Sequence, residues 1–241
     1  MKMIFPAIDL KNGQSVRLFQ GDYQAVTTIN ADPIQQAKQI ETSGVKQLHL
    51  VDLDGAKSGQ PENLAIIRQI RQVFTGFLEL GGGIRTYQIA QQYLKLGIDR
   101  IVIGSAALKN PQLVKRLLDD FGASKIAICI DGKDGQVATE GWLEQSKVKM
   151  SSLIAKMNEF GAQNFIVTDV SRDGTMQGPN LNLLEDLKEE IPQVNLIASG
   201  GIRNIEDLKA LKRMGIDQSI IGKAIFEKTI SLAQILEVEK C

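Results

Sequence analysis

The sequence predicts an α/β protein, a single (β/α)8 TIM barrel built from two similar half-barrels. Three observations lead to this prediction: eight short apolar segments, a helical segment after each, and an internal repeat of half the chain. The chain has 241 residues, an ordinary length for an α/β barrel that forms one domain. We therefore expect one domain over residues 1–241, with repeats over about 1–120 and 121–241.

The eight apolar segments are the predicted strands. They alternate little between apolar and polar residues, which is typical of strands that are covered on both faces. In chain order they read MIFPAIDL, QLHLVDLD, FLELGGG, RIVIGSA, KIAICIDG, NFIVTDV, NLIASGG and SIIGKAI.

A segment with helical periodicity follows each strand, and several of these segments end in glycine, the usual helix-stop residue. They read PIQQAKQIETSG, ENLAIIRQIRQVF, IAQQYLKLG, PQLVKRLLDDFG, SSLIAKMNEFG, LNLLEDLKEE, IEDLKALKRMG and SLAQILEVEK. Alternating strands and helices indicate a parallel sheet with right-handed crossovers. Eight such units favour closure into a barrel over an open sheet.

Four pairs of motifs repeat in the same order, 118 to 122 residues apart. AIDLKNGQ resembles CIDGKDGQ, VDLDGA resembles VSRDGT, GGGIR resembles SGGIR, and IVIGSAAL resembles SIIGKAIF. Because this period is half the chain and far longer than solenoid repeats, we interpret it as two half-barrels of four strands each.

Composition excludes several classes of protein. Lysine plus arginine equals aspartate plus glutamate, at 28 each, whereas a nucleic-acid binder usually has a basic excess. The N-terminus does not have the pattern of a signal peptide, and no apolar run is long enough for a membrane span. The two cysteines, Cys129 and Cys241, do not indicate a disulfide framework or a zinc site. We therefore expect a cytoplasmic monomer that binds neither nucleic acid nor membrane.

Two glycine-rich pairs of loops are predicted to bind phosphates. Glycine lets a backbone turn expose its N–H groups and lets a phosphate come close, and barrels favour a phosphate site after strands seven and eight. The predicted residues are Ser199, Gly200, Gly201, Gly222 and Lys223 there, and Gly82, Gly83, Gly104 and Ser105 in the first-half copy after strands three and four. The alternative is that these segments are only tight turns. Two facing sites predict a small substrate with a phosphate at each end.

Two aspartates follow apolar strands directly and are the first candidates for catalysis. Asp9 ends the first strand and Asp131 the fifth, on opposite sides of the predicted ring, and Asp173 lies in a loop after the sixth strand. Paired carboxylates suit general acid–base chemistry when their surroundings separate their pKa values. The alternative is that aspartates before glycine close turns or cap helices, which is plausible for Asp54 and Asp134.

Three single residues have weaker patterns. His49, the only histidine, lies inside LHLVDL and is predicted to pack within the barrel; a histidine triad or a histidine-rich metal site is therefore not expected. Trp142, the only tryptophan, is expected either to pack in the core or to stack on a planar ring of the substrate. Arg17 lies in a predicted hairpin, NGQSVRLFQGDY, where it suits a phosphate unless it is a solvated surface residue.

Together the motifs resemble one family. AIDL, VRLFQGDY, HLVDLDGA, GGGIR, GW, TDVSRDGT and SGGI are similar to those of the phosphoribosylformimino-5-aminoimidazole carboxamide ribotide isomerases of histidine biosynthesis. The resemblance covers nearly the whole chain. It implies a duplicated half-barrel, a substrate with two ribose phosphates, and an Amadori rearrangement of an aminoaldose to an aminoketose without a metal or organic cofactor.

The resemblance also implies roles for individual residues. Asp9 matches the general base of the family and Asp131 its proposed general acid. Thr168 and Asp173 match further residues of that site, and Trp142 matches a residue that stacks on the imidazole carboxamide. Whether Asp131 or Asp173 protonates the ring oxygen stays open at this point.

Three other functions compete with this interpretation. The cyclase subunit of imidazole glycerol phosphate synthase shares the barrel and the two aspartates, but AIDL, VRLFQGDY and the GW segment are more similar to the isomerase. A dual-substrate isomerase that also acts on phosphoribosylanthranilate is the second alternative. A non-catalytic phosphate-binding barrel is the third, and carboxylates beside anionic phosphates argue against it.

The segment TDVSRDGTMQGPN after the sixth strand is long for a barrel connection. A long, glycine-containing loop at a barrel mouth is usually a lid. We therefore expect the Thr168–Asn180 loop to order over bound substrate and to carry Asp173 inward.

Overall fold

The computed structural model describes residues 3–139 and 144–240, which contain a closed barrel of parallel strands surrounded by helices. The strands are β1 Met3–Lys11, β2 Gln14–Phe19, β3 Asp22–Asn30, β4 Gln47–Asp52, β5 Phe77–Gly81, β6 Arg100–Ile103, β7 Ile126–Lys133, β8 Gln136–Thr139, β9 Glu144–Lys149, β10 Asn164–Asp169, β11 Asn195–Ser199 and β12 Gln218–Ile221. The helices are α1 Pro33–Ser43, α2 Leu53–Ser58, α3 Leu64–Val73, α4 Tyr87–Lys95, α5 Ala106–Lys109, α6 Pro111–Phe121, α7 Met150–Glu159, α8 Leu181–Glu190, α9 Ile205–Arg213, α10 Lys223–Phe226 and α11 Leu232–Lys240.

The barrel closes through eight parallel pairings. Around the ring the strands run β1, β4, β5, β6, β7, β10, β11 and β12, and β12 pairs again with β1. These eight strands are the eight that the sequence predicts, and the predicted (β/α)8 barrel is confirmed. Since all eight run in the same direction, their carboxyl ends meet at one mouth.

Helix boundaries follow local capping chemistry. At the start of α1 the Asp32 side chain accepts hydrogen bonds from the backbone N–H groups of Ile34 and Gln35, and Pro33 takes the first helical position. The helix ends at Gly44, whose φ of 94° is a left-handed conformation that glycine adopts without strain. No helix within the described ranges is long and apolar enough to cross a membrane.

Side chains alternate between the inside and the outside of the barrel. Along β1, Ile4 and Ile8 belong to the main core that includes the helices, whereas Phe5 and Ala7 belong to a second cluster inside the barrel. The same alternation along β7 brings Ala127 to the inside. Asp9 lies two residues beyond Ala7 and Asp131 lies four residues beyond Ala127, so both share the inward face at the mouth.

Antiparallel hairpins extend the barrel after β1 and after β7. The predicted hairpin near Arg17 is β2–β3, which turns at Gln20–Gly21, where both residues have positive φ. The strands β8 and β9 are not among the predicted strands; the sequence signal for the turn from β7 into β8 is the Asp134–Gly135 dipeptide, with φ of 53° and 73°. Trp142 falls between the two described ranges, so its predicted stacking role lies outside the described residues.

Candidate active site

The carboxyl ends of three neighbouring strands carry predicted site residues side by side. Thr168 at the end of β10 is in register with Asp131 on β7 and with Ser199 on β11. Asp9 occupies the corresponding end of β1 and is in register with Val51 on β4. These residues therefore line the rim of one mouth.

Arg17 from the hairpin reaches back to Asp9. One terminal nitrogen of its guanidinium donates to Asp9 Oδ2 and the other to the carbonyl of Ala7. The guanidinium Nε is buried and has no hydrogen-bond partner among residues 3–139 and 144–240. The side chain is only 16% exposed, so Arg17 is a residue of the mouth and not a solvated surface arginine.

Cys129 lies one inward position below Asp131. Its thiol donates a hydrogen bond to Asp131 Oδ1 across 3.2 Å. Burial raises the pKa of the Cys129 thiol, and the charge of Asp131 raises it further, so the thiol keeps its proton and remains a donor. This contact was not predicted, and the sequence signal for it is the spacing of two residues along a strand.

Asp173 completes a group of three carboxylates. Burial raises the pKa of Asp173 to about 6, the negative charges of Asp9 and Asp131 act in the same direction, and the charge of Arg17 opposes them. Because such charge effects act over short distances, Asp173 lies near Asp9, Asp131 and Arg17. The structure thus brings together Asp9, Asp131, Asp173, Thr168 and Arg17.

The loop that carries Asp173 is held at both of its ends and near its middle. Asp169 accepts hydrogen bonds from Ser171 and Asn180, which draws the two ends of the loop together. Lys223 donates to the carbonyl of Gly174 across 2.8 Å, and Gln20 of the hairpin donates to the carbonyl of Ser171 across 3.0 Å. The loop therefore touches both the hairpin and the segment after β12, and it places Asp173 near Asp9 and Arg17.

Three of the six predicted phosphate-loop glycines are required by close backbone packing. A Cβ atom on Gly82 would lie 2.2 Å from the carbonyl oxygen of Asp52, and one on Gly83 would lie 2.1 Å from that of Gly55. In the second half, a Cβ on Gly201 would lie 2.4 Å from the carbonyl oxygen of Gly178. Tight turns are therefore part of the reason for these glycines, whether or not a phosphate binds.

Gly104 and Gly222 differ from the other glycines. No atom lies within 4 Å of a Cβ built on Gly104, so the space above this residue is open. At Gly222 the nearest atoms are those of the Arg17 guanidinium, 3.0–3.1 Å away. Gly104 and Ser105 precede the short helix α5, and Gly222 precedes α10, of which Lys223 is the first residue.

The two glycine-lined regions face each other. The first follows β5 and β6 and the second follows β11 and β12; β1 and β4 separate them on one side of the ring, and β7 and β10 on the other. Asp9 and Asp131 therefore stand on opposite sides of the line that joins the two regions.

A buried charged network lies deeper in the barrel and was missed in the sequence. His49 Nδ1 is 2.6 Å from Glu79 Oε1, and Arg100 Nε donates to Glu79 Oε2 across 2.7 Å. The Arg100 guanidinium lies over the rings of Phe5 and Phe77, at 5.4 and 5.2 Å from their centres. Burial would raise the pKa of Glu79, but the charge of Arg100 and the hydrogen bond from His49 hold it below its usual value. The only signal in the sequence is one polar residue inside each of three apolar strands.

Metal-ligating side chains form no cluster among the residues that the structure describes. Within residues 3–139 and 144–240, no three histidine, cysteine, aspartate or glutamate side chains are arranged so that they could hold a metal ion.

Comparison with known proteins relates the whole chain to one family. The model of the family described as "Histidine biosynthesis protein" matches residues 3–231. A protein of Lactiplantibacillus plantarum is 59% identical over 239 residues, which cover 99% of this chain and 100% of the relative. Relatives from Leuconostoc mesenteroides and Listeria monocytogenes are 53% and 49% identical, each over 98% of this chain and over 100% and 98% of their own lengths. All three are named 1-(5-phosphoribosyl)-5-((5-phosphoribosylamino)methylideneamino)imidazole-4-carboxamide isomerase.

Proposed function

The chain belongs to the histidine biosynthesis protein family, and on this premise we propose that it catalyses the isomerisation for which its relatives are named. The reaction is an intramolecular aldose-to-ketose isomerisation, an Amadori rearrangement. The observation that carries the proposal is the meeting of Asp9, Asp131 and Asp173 at the mouth, between two facing glycine-lined regions.

The substrate named for the relatives has two phosphoribosyl groups, so it presents a phosphate at each end. Two facing phosphate sites would hold such a molecule across the mouth, with its reacting ribose above the aspartates. In the proposal, Ser199, Gly200, Gly201, Gly222 and Lys223 bind one phosphate, and Gly82, Gly83, Gly104 and Ser105 bind the other.

Asp173 is the general acid in this proposal. The first step protonates the furanose ring oxygen, and a carboxyl group with a pKa of about 6 still holds a proton in a useful fraction of molecules near neutral pH. Phosphate dianions bound nearby would raise this pKa further, because they disfavour a carboxylate. Asp131, which accepts a hydrogen bond from the Cys129 thiol, then interacts with the substrate as a hydrogen-bond acceptor.

Asp9 is the general base. Ring opening converts C1 and the attached nitrogen into a protonated Schiff base, which withdraws electrons from C2 and makes its proton acidic. Asp9 removes this proton, and the enolamine that forms tautomerises to the ketone. The nitrogen of the substrate thus acts as the electron sink, so the chemistry calls for no metal or organic cofactor.

The proposal includes three further statements. The small bisphosphorylated substrate is the only partner that the reaction needs, since one chain supplies the aspartates and both glycine-lined regions. The enzyme is a monomer in the cytoplasm. It has no nucleic-acid partner, because its 28 basic residues are balanced by 28 acidic ones.

An absorbance assay with purified protein tests the function. With the bisphosphorylated aminoaldose alone, we expect complete conversion to the ketose, and addition of a glutaminase and ammonia should change nothing. A protein that leaves the aminoaldose unchanged but consumes separately added ketose in the presence of ammonia would be a cyclase instead. A third arm with phosphoribosylanthranilate measures whether a second substrate is accepted.

A further inference from the structure

Arg17 has two possible partners in the mouth. Its guanidinium is paired with Asp9 and, through the other terminal nitrogen, with the carbonyl of Ala7. At the same time it lies against the backbone of Gly222, where atoms of the guanidinium occupy the space 3.0–3.1 Å from a Cβ position. The residue therefore stands between the proposed base and the proposed phosphate loop after β12.

The hydrogen bonds of Arg17 are incomplete in this arrangement. A guanidinium has five N–H donors, and the buried Nε donor of Arg17 has no partner in the described part of the chain. A buried donor without a partner is costly, and a planar guanidinium is well suited to a phosphate, which accepts two parallel hydrogen bonds. An anion bound at Gly222 would thus accept more hydrogen bonds from Arg17 than its present partners do.

The pairing with Asp9 has a chemical consequence. A carboxylate oxygen that accepts a hydrogen bond from a guanidinium cannot also approach a carbon-bound proton, because the guanidinium stands in front of it. Asp9 Oδ2 is thus blocked for as long as Arg17 stays beside it.

We infer that Arg17 is a positioning residue that restrains Asp9 in the empty site and releases it when a substrate phosphate binds at Gly222. The inference rests on the proposed function, and it extends that function by linking binding to catalysis. The enzyme would then hold a competent base only when a phosphorylated substrate is in place.

The first test uses turnover. The substrates are the two analogues of the bisphosphate that each lack one phosphate, with inorganic phosphite added to replace the missing group. For the analogue whose missing phosphate would bind at Gly222, we expect phosphite to raise kcat/KM of the unaltered enzyme by about tenfold or more. We expect Arg17→Met to convert that analogue, without phosphite, about tenfold faster than the unaltered enzyme does, and to gain nothing from phosphite.

The sign of the Arg17→Met effect separates restraint from simple binding. A residue that only binds phosphate or only supports the hairpin would leave the variant equal to or slower than the unaltered enzyme without phosphite, and that result would overturn the inference. Failure of phosphite to activate either analogue would overturn it as well. Thr27→Ala is the matched control, because Thr27 is exposed and lies opposite Arg17 in the hairpin; it should behave like the unaltered enzyme.

A second test does not depend on turnover. Crystal structures with and without inorganic phosphate should show the Arg17 guanidinium on Asp9 in the absence of the anion and on the anion in its presence. Persistence of the Arg17–Asp9 pair beside a bound phosphate, or absence of phosphate from the Gly222 loop, would contradict the inference. If Arg17 moves in this way but the protein converts no substrate, the inference about Arg17 holds and the proposed function fails.

Discussion

Asp173 is a residue whose charge state links stability to pH. Its pKa rises from an ordinary 3.8 to about 6, through burial and then through the charges of Asp9 and Asp131. Between these two pH values the folded chain binds more protons at this site than the unfolded chain does. The contribution of Asp173 to stability is therefore fully present below about pH 4 and is lost as the pH rises through about 6.

Replacement of Asp173 by asparagine should remove the loss of stability that ionisation of Asp173 causes at high pH. We expect Asp173→Asn to have a higher free energy of unfolding than the unaltered protein at pH 8, by about 3 kcal/mol. The advantage should disappear near pH 4, where both proteins are neutral at this position. Urea unfolding at the two pH values measures it, and an equal difference at both would show that Asp173 is not held with a raised pKa.

Glu79 is the centre of the buried network, and its removal should be costly. Its side chain is fully buried and that of Arg100 is 4% exposed, so Glu79→Gln leaves a buried guanidinium without its counter-charge. We expect the free energy of unfolding to fall by about 3–5 kcal/mol. The control is Asp119→Asn, which breaks the exposed pair with Lys115 and should change little. Similar losses in both variants would contradict a specific role of the network.

Single residues could be predicted from the sequence where a strand end fixed their position. Asp9 and Asp131 follow apolar strands, so barrel topology alone places them at the mouth. The pairing of Arg17 with Asp9 and of Cys129 with Asp131 could not be predicted. These contacts depend on how a hairpin folds back and on which rotamer a side chain adopts, and neither leaves a periodic signal.

At the scale of elements, two glycines in the loops before α4 and α5 distinguish a packing role from a phosphate-binding role. Gly83 has a φ of 70° and its Cβ would overlap the carbonyl of Gly55, so Gly83→Ala should lower stability. Gly104 faces open space, so Gly104→Ala should unfold like the unaltered protein.

The same pair of variants tests the first phosphate site. We expect Gly104→Ala to raise KM about tenfold, because a methyl group would stand where the phosphate approaches the backbone. Thermal unfolding and steady-state kinetics on both variants provide the measurements. An unchanged KM in a stable Gly104→Ala protein would rule this loop out as a phosphate site.

The loop over residues 170–180 is the second element with a testable role. Ring opening produces a Schiff base that water can hydrolyse, so the site benefits from closure during the reaction. We expect product to slow amide hydrogen exchange in this loop, with little change in the helix α11 as an internal control. Equal protection with and without product would identify a rigid loop in place of a lid.

The eight barrel strands and their main helices were predictable because burial on both faces makes each strand a continuous apolar segment. Loop residues such as glycine mark where the segments end. The hairpin β8–β9 escaped prediction because its strands lie outside the barrel core and are mostly polar. The short helices α2, α5 and α10 escaped because helices of four to six residues have too few turns for a periodic pattern.

At the scale of the whole molecule, two networks support the proposed duplication. Asp52 accepts hydrogen bonds from the backbone of Gly55 and from the side chain of Asn63. Asp169 and Asn180, each 117 residues further on, form the matching contact. Hairpins also follow both β1 and β7. The half-barrels remain a proposal, for which these matched contacts are the structural support.

In the proposed reaction, Asp9 at the mouth of the barrel removes the C2 proton of an aminoaldose. The most direct measurement follows the loss of deuterium from a bisphosphorylated substrate labelled at C2, for the unaltered enzyme, Asp9→Asn and the exposed control Thr27→Ala. We expect the label to leave C2 in the unaltered and control proteins, and turnover to fall by about a thousandfold in Asp9→Asn, with unchanged folding by circular dichroism. Release of the label by Asp9→Asn at a near-normal rate would contradict the claim.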